Sequence, residues 1–480
     1  VTRSVPDRTR TSTEAPSTSS APSSGEPHGA STASRGPGAA TDVESEGDRP
    51  APGSDPGATS ASSPVTIPRG ASGPGFTAKE IRIGVGYDST FSEQLGAAGA
   101  TGATPGDQRR QVLAITDDIN ERGGIAGRRV VPVFYDTRGR NSQNEPAALA
   151  QGACAAWTED TLVFAAMTYV VQMDNEVLYS CLAKHKVLFV PLAGESRGIF
   201  SRYAPYIWTP AGVAVERIPP TWIARLTALG YFRGWDTSTG SPGNAPVKIG
   251  LLYGNGVRNN QRQLDQAFVA STTKALAGVN RTVAASFEVT NDPADVTAAV
   301  LRFKSAKVTH VLGDYSLVNF TPAAESQRYR PRYGFTSFSP GIAFNLFAPP
   351  EQLRGALGVG WIPSSDVEGE QDPGDVSPAE AHCRKVMSDA DQTESSGLAK
   401  LAMTWGCDTF TFLDLAATKY GPSPDGVRAA AAAMGSMASA ATFSIKFPGG
   451  RPDGVAAVRD IGRRDDCRCF AYLNTTNRPV

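Results

Sequence analysis

The chain has 480 residues, a formal net charge of -1 at pH 7 and 19% charged residues. A nucleic-acid binder should show a basic face, so that class is set aside. No apolar run approaches the roughly eighteen residues that a membrane-spanning helix needs, and no signal-peptide core is visible. If the protein is exported, its signal was removed or lies outside this chain, and no cysteine sits near Val1 to take a lipid.

Val1 to about Gly75 contains no aromatic residue and no Leu; it is Ser, Thr, Pro, Gly and Ala with scattered charge. Such a segment buries too little apolar surface to offset its ordering entropy and is expected to be disordered, either as a spacer or as a dispensable extension. Limited proteolysis should leave a stable core beginning near Phe76. A melting temperature that drops by several degrees on removing the tail would contradict this. Phe76 opens a folded region of about 400 residues, more than one core usually supports, which predicts two lobes.

The first folded segment is an alternating strand, Ile81 to Tyr87, followed by a Gly-rich loop from Leu95 to Gly106. Gln108, Val112, Ile115 and Ile119 then recur at helical spacing. Gly123-Gly124 supplies a left-handed helix stop, and Val130 to Asp136 is the next strand. These residues form one βαβ unit. The opening strand ending at Tyr87, the Asp117-to-Arg128 turn (D-D-I-N-E-R-G-G-I-A-G-R) and the Phe134-Tyr135-Asp136 strand end resemble the amino-terminal segment of the branched-chain amino-acid binding family, the type I periplasmic binding proteins of ABC transporters. Asn and Gly also end helices well in any α/β domain.

The later elements keep the same order. Pro146 opens a helix to Trp157; Leu162 to Ala166 is a buried strand; Val177, Leu178, Cys181 and Leu182 mark a helix face; Val187 to Val190 and Tyr206 to Thr209 are strands. Alternation at this spacing argues for a parallel sheet covered on both faces. After Pro219-Pro220 a second series begins: strand Val247 to Tyr253, helix Gln261 to Ala277, strand Val283 to Val289, a helix face at Val296, Val300 and Phe303, strand His310 to Gly313, helix Asn319 to Tyr329, and strands near Tyr333 to Phe335 and at Leu357 to Gly360. Helices are predicted at Ala379 to Ala390, Leu401 to Lys419 and Gly426 to Met434, and the last strands near Phe443 to Phe447, Val455 to Val458 and Cys469 to Leu473.

This double series resembles the type I binding-protein architecture: an α/β fold with two doubly wound parallel-sheet lobes and a three-segment hinge. The expected division is residues 76–210 with 361–442 for the first lobe, and 211–360 with 443–480 for the second. Crossings are expected at Thr209 to Gly212, Gly358 to Ile362 and Thr442 to Ile445. The resemblance implies no enzyme activity, no cofactor, a monomer, and an extracytoplasmic location tethered to the outer face of the membrane. It also implies a small polar, amino-acid-like ligand and an ABC permease as partner, or else a signalling partner for a sensor subunit.

Ligands of open α/β sheets bind beyond the carboxyl ends of the strands. That rule nominates Tyr87, Asp88, Thr168, Tyr169, Ala193, Glu195, Ser196, Asn255, Asp314, Tyr315 and Ser339. The resemblance implies that Thr168 and Ser196 hold the ligand's carboxylate and amine, and that Asp314 and Tyr315 complete the amine site. Two departures touch specificity. Met167 to Gln172 replaces the serine-rich turn of amino-acid binders, and Glu195 would repel a ligand carboxylate if it faced the cleft. The three carboxylates Asp88, Glu195 and Asp314 call for a cationic or donor-rich ligand, with aromatic cover from Tyr87, Tyr169 or Tyr315, unless Arg197 or Arg258 neutralises them. The tyrosines also fit plain lip or core packing.

Six cysteines are present. Cys154 and Cys181 fall on successive helices, as do Cys383 and Cys407, which predicts two bridges; buried free thiols are the alternative. Cys467 and Cys469 read as too close for a bridge within one strand. No cysteine has His at zinc-ligand spacing, so no metal is expected. Gly194 to Gly198 fits the G-x-S-x-G nucleophile elbow, with His310 and His382 downstream. The hydrolase reading, with Ser196 as nucleophile, is disfavoured because Ile199 to Pro205 does not read as a helix and no oxyanion motif is present.

Overall fold

A computed structural model describes residues 71–100, 102–139, 145–254, 261–290, 292–367, 376–392 and 396–480. The expected disorder of the tail before residue 71 and the candidate residues Asn255 and Arg258 lie outside them. The first series contains strands β1 (Glu80–Tyr87), β2 (Arg129–Asp136), β3 (Ala165–Thr168) and β4 (Leu188–Val190), with helices α1 (Phe91–Ala97), α2 (Gln108–Glu121), α3 (Pro146–Ala155), α4 (Glu176–Lys184) and α5 (Arg197–Arg202). Its four strands are parallel in the order β2-β1-β3-β4. Helix α6 (Ile218–Ala228) and a short hairpin, β5 (Trp235–Asp236) and β6 (Ser241–Pro242), lead to the second series.

That series runs β7 (Ile249–Gly254), α7 (Gln261–Ala277), β8 (Val283–Val289), α8 (Pro293–Ser305), β9 (His310–Gly313), α9 (Leu317–Ser326), β10 (Arg332–Thr336), α10 (Gly341–Phe347), β11 (Leu357–Gly360) and α11 (Pro363–Asp366). Helices α12 (Pro378–Asp389), α13 (Gly397–Tyr420) and α14 (Pro424–Met434) follow. Strands β12 (Ser436–Met437), β13 (Ile445–Lys446), β14 (Ala457–Arg464), β15 (Cys469–Tyr472) and β16 (Arg478–Pro479) end the chain. The eight-stranded second sheet has the order β15-β14-β11-β10-β9-β7-β8, with β16 on β14. Its β8-β7-β9-β10 portion repeats the order of the first sheet. Strands β7 to β11 are parallel, and β14 and β15 add antiparallel.

The alternation along β1 explains the first sheet's two faces. Ile81, Ile83 and Val85 pack with α2 and the α12–α14 helices in one core. Gly84 points the other way, where a Cβ would stand 2.8 Å from Trp157 Cε2, so only glycine admits that ring. Trp157 anchors the second core with α3 and α4. The turn after α2 is tied down by Asn120, whose Nδ2 donates to Val130 O (3.1 Å) while its Oδ1 accepts from Val130 N (2.6 Å). Asn120 therefore clamps helix to strand rather than capping the helix. Gly124, at φ +74°, approaches Arg128 O so closely that a Cβ would stand 2.0 Å away.

Several sequence expectations shift. The Gly-rich loop before α2 begins with helix α1. Tyr206 to Thr209 is not a continuous strand; Ile207 bridges Phe189 and Thr209 bridges Asp453. Residues 197–202 are helical, because Ser196 caps them: its Oγ accepts from Ile199 N at 3.2 Å. Cys154–Cys181 joins α3 to α4 and Cys383–Cys407 joins α12 to α13, with Cα separations of 6.2 and 6.0 Å. Cys467 and Cys469 are also bridged, at a Cα separation of 5.2 Å, contrary to the sequence reading. Cys467 lies in the turn before β15, not in the strand, and Arg468 takes φ +53° between the two cysteines.

The chain passes between the two sheets after β4, after α11 and after α14. Thr209 N donates to Pro452 O (2.9 Å), Gly454 N to Thr209 O (2.9 Å) and Val455 N to Gly212 O (3.1 Å), so the first and third passages run side by side.

Candidate ligand cleft at the strand ends

Carboxyl-end loops of the two sheets approach one another. A Cβ on Gly194, after β4, would stand 3.4 Å from Phe338 Cε1, after β10; one on Gly198 would stand 2.8 Å from Gln263 Nε2 on α7. In each sheet the strand order reverses beside its first strand, at β1/β3 and at β7/β9. Such switch points open a crevice outside the strand ends. Asp88 and Tyr169 lie at the first, Gly254 and Asp314 at the second.

The nominated residues divide by where their side chains go. Asp88 is nearly buried, and its own loops consume it: Oδ1 accepts from Thr90 N (2.9 Å), Thr90 Oγ1 (2.7 Å) and Gly139 N (3.1 Å), and Oδ2 from Gln94 Nε2 (3.0 Å). Burial pushes its pKa up, but these donors outweigh it and hold the carboxyl below its usual range. Glu195 is fully buried and accepts from the Tyr179 hydroxyl on α4, so it faces its own lobe's interior. The feared repulsion of a ligand carboxylate by Glu195 therefore has no geometric basis. Thr168 is buried, with Oγ1 accepting from Val170 N at 2.9 Å. Tyr169 packs edge-on against Trp405 at 5.4 Å in the core instead of covering a ligand. Tyr87 is half-buried at the lip, edge-on to Phe134 at 5.8 Å. Ala193 N donates to Asp174 Oδ2 at 3.0 Å.

Ser196 serves as the helix cap described above and is 2% exposed. The histidines proposed as its partners are engaged elsewhere. His310 is buried between Thr309 Oγ1 (2.9 Å) and Tyr231 O (3.0 Å), and burial lowers its pKa to about 4. His382 pairs with Asp118 at 3.2 Å.

The second sheet's mouth is different. Asp314 is part-buried; its Oδ1 accepts from Ser316 N at 3.0 Å, and burial raises its pKa to about 6. Tyr315 beside it is exposed. Asp265 on α7 is 3% exposed; burial first, then the charge of Asp314, raises its pKa to about 7. Among the described residues, Asp265 Oδ2 and Ser339 Oγ are buried without a hydrogen-bond partner. Asp265 escaped the strand-end rule because it sits on a helix. Its signal was an acid beside Leu264 and three residues before Phe268, on the buried face of an amphipathic helix. Arg197 is exposed, and its backbone N donates to Glu216 (3.0 and 3.1 Å); it forms no ion pair with either acid.

No protein-family model matches the chain, and no curated protein matches it. Solved structures do. An extracellular ligand-binding receptor from Verminephrobacter eiseniae aligns at 16% identity and TM-score 0.57, over 82% of this chain and 100% of that one. A branched-chain amino-acid ABC transporter protein from Thermus thermophilus with bound valine aligns at 15% identity and TM-score 0.58, over 84% and 97%. A type 1 periplasmic binding protein from Bordetella pertussis aligns at 12% identity and TM-score 0.56, over 84% and 100%. The chain has the type I periplasmic-binding-protein fold.

Proposed function

We propose that this chain is an extracytoplasmic solute-binding protein that captures a small polar, amino-acid-like ligand between two α/β lobes and presents it to an ABC permease. The lobes are residues 76–210 with 361–442, and 211–360 with 443–480; the protein acts as a monomer, and the segment before Phe76 serves as a spacer to the outer face of the membrane. Ligand bridging the lobes shifts an open–closed equilibrium toward the closed form that the permease recognises. The observation that carries the reading is the meeting of two sheets of like strand order at their carboxyl ends, with a part-buried acid at the second switch point. The extracellular and periplasmic proteins of the same fold, one of them holding valine, support it.

With Asp88 and Glu195 taken up by their own lobe, the acid that faces the ligand is Asp314. The ligand carries an amine, amide or similar donor, with Tyr315 and Tyr87 at the rim and Ser339 as a further hydroxyl. Mass spectrometry of ligand co-purified with the protein identifies the compound. Asp314→Asn is expected to weaken its binding about tenfold or more, the scale of one lost charge-assisted hydrogen bond. Unchanged affinity by calorimetry, or tight binding of a purely anionic ligand, would refute this polarity.

A further inference from the structure

The three disulfides differ in what they hold together. Cys154–Cys181 and Cys383–Cys407 each join two helices, and their cysteines are buried or half-buried. Cys467–Cys469 encloses Arg468 alone, in the exposed turn from β14 to β15. The hairpin does not depend on that bridge. Ile461 pairs with Tyr472, Gly462 with Ala471, Arg463 with Phe470 and Arg464 with Cys469, so the ladder already fixes the register. The ring also holds Arg468 at φ +53°, a left-handed conformation that is unfavourable for a residue with a Cβ. Exposed or strained bridges are the ones that open to thiols, whereas structural bridges resist.

The two sulfurs are unequal. Cys467 is exposed, whereas Cys469 is 4% exposed and begins β15. An incoming thiolate therefore reaches Cys467. Cys469 stands directly opposite Arg464 of β14, and opposite residues of an antiparallel pair share a face of the sheet. Positive charge beside a sulfur favours its departure as a thiolate. Arg464 is itself held by Asp466, with Nε donating to Oδ1 at 3.0 Å, and Asp465 and Arg468 are the turn's other charges.

We infer that Cys467–Cys469 is a thiol-exchange site, at which the thiolate of a small thiol or a dithiol adds to Cys467 and releases Cys469. The thiolate attacks Cys467 Sγ. A new S–S bond forms there, the Cys467–Cys469 bond breaks, and Cys469 leaves with the electron pair. A second thiol, or the second sulfur of the dithiol, then attacks the external sulfur of the mixed disulfide and releases Cys467 as a thiolate. Two electrons pass to the protein: the external thiols become a disulfide, the bridge becomes two thiols, and the protons move by way of solvent. The site is remote from the ligand cleft. Strand β14 runs antiparallel to β11, with Arg459 opposite Gly360 and Gly462 opposite Leu357, so the turn after Arg464 lies at the end of the second sheet away from the strand carboxyl ends. Exchange there is independent of the solute-binding reading.

The test uses the folded, full-length protein. It is incubated with graded glutathione or dithiothreitol, quenched with acid and alkylated, and its peptides are identified by mass spectrometry. Cys467 and Cys469 should become alkylatable at a reductant concentration about tenfold or more below that needed for either other bridge. Limiting glutathione should leave its adduct on Cys467. Reaction with glutathione assigns the site to small thiols, and reaction with dithiothreitol alone assigns it to dithiols. In Cys469→Ser, the free Cys467 should take up glutathione from glutathione disulfide about tenfold or more faster than the free Cys469 of Cys467→Ser does. A bridge that opens with or after the other two, an adduct on Cys469, or equal rates in the two variants overturns the inference.

Discussion

Arg217→Ala is expected to destabilise the folded region by about 2–4 kcal/mol, the cost of removing a buried ion-pair member together with its backbone hydrogen bonds. Arg217 and Asp453 are 4% and 1% exposed and in direct contact. Asp453 lies beside the first passage between the sheets, where its Oδ2 also accepts from Ala214 N at 2.9 Å. Arg217 Nη2 donates to Val455 O (2.9 Å) and Val480 O (3.1 Å), tying the start of α6 to the chain's last strands. Removing the guanidinium takes away all of these bonds at once and leaves Arg451, at 2.8 Å and more exposed, as the remaining cation beside Asp453. Arg217→Lys keeps the charge but cannot span both carbonyls, so an intermediate loss is expected. Urea unfolding at pH 7 reads the effect. A loss below about 1 kcal/mol for the alanine variant would mean that the pair is not holding the two passages together.

The second large effect is in the disulfides. Replacing Cys383 and Cys407 together by serine is expected to cost about 3 kcal/mol, because the bridge closes a loop with a sequence separation of 24 and ties α12 to α13. The same change at Cys467 and Cys469, with a separation of 2, encloses a single residue and removes little chain entropy. It should cost about half as much. Paired denaturation curves of the two double variants compare them directly, and equal losses would contradict the loop-length argument. Peptide mapping of the native protein should find no alkylatable thiol at Cys154 or Cys181.

Much of the fold was legible because its elements are periodic. Helix α7 ends where the predicted helix ends, at Ala277, and β8 spans Val283–Val289 as its alternation required. The helix pairs carrying Cys154 with Cys181 and Cys383 with Cys407 could be read as neighbours, since each pair is successive in an α/β order. Short elements set by a single contact were missed. Helix α5 exists because the Ser196 hydroxyl caps it, and the Cys467–Cys469 bridge exists because Arg468 turns the chain.

The candidate site was legible only as a set of loops. That Tyr87, Asp88, Thr168, Glu195, Asp314 and Ser339 follow strands is a property of local sequence, and the rule of strand ends reaches it without a structure. Whether a strand-end carboxylate faces ligand or protein is not local. Glu195 turns under Tyr179, 16 residues earlier in the chain, and Asp88 is claimed in part by Gly139, 51 residues later. Asp265, which no strand-end rule selects, feels the charge of Asp314 because β7 and β9 are adjacent in the sheet. Periodicity and capping act over a few residues and are written in the sequence. The direction and protonation of a buried acid depend on the desolvation and partners that distant segments bring, and only the tertiary structure decides them.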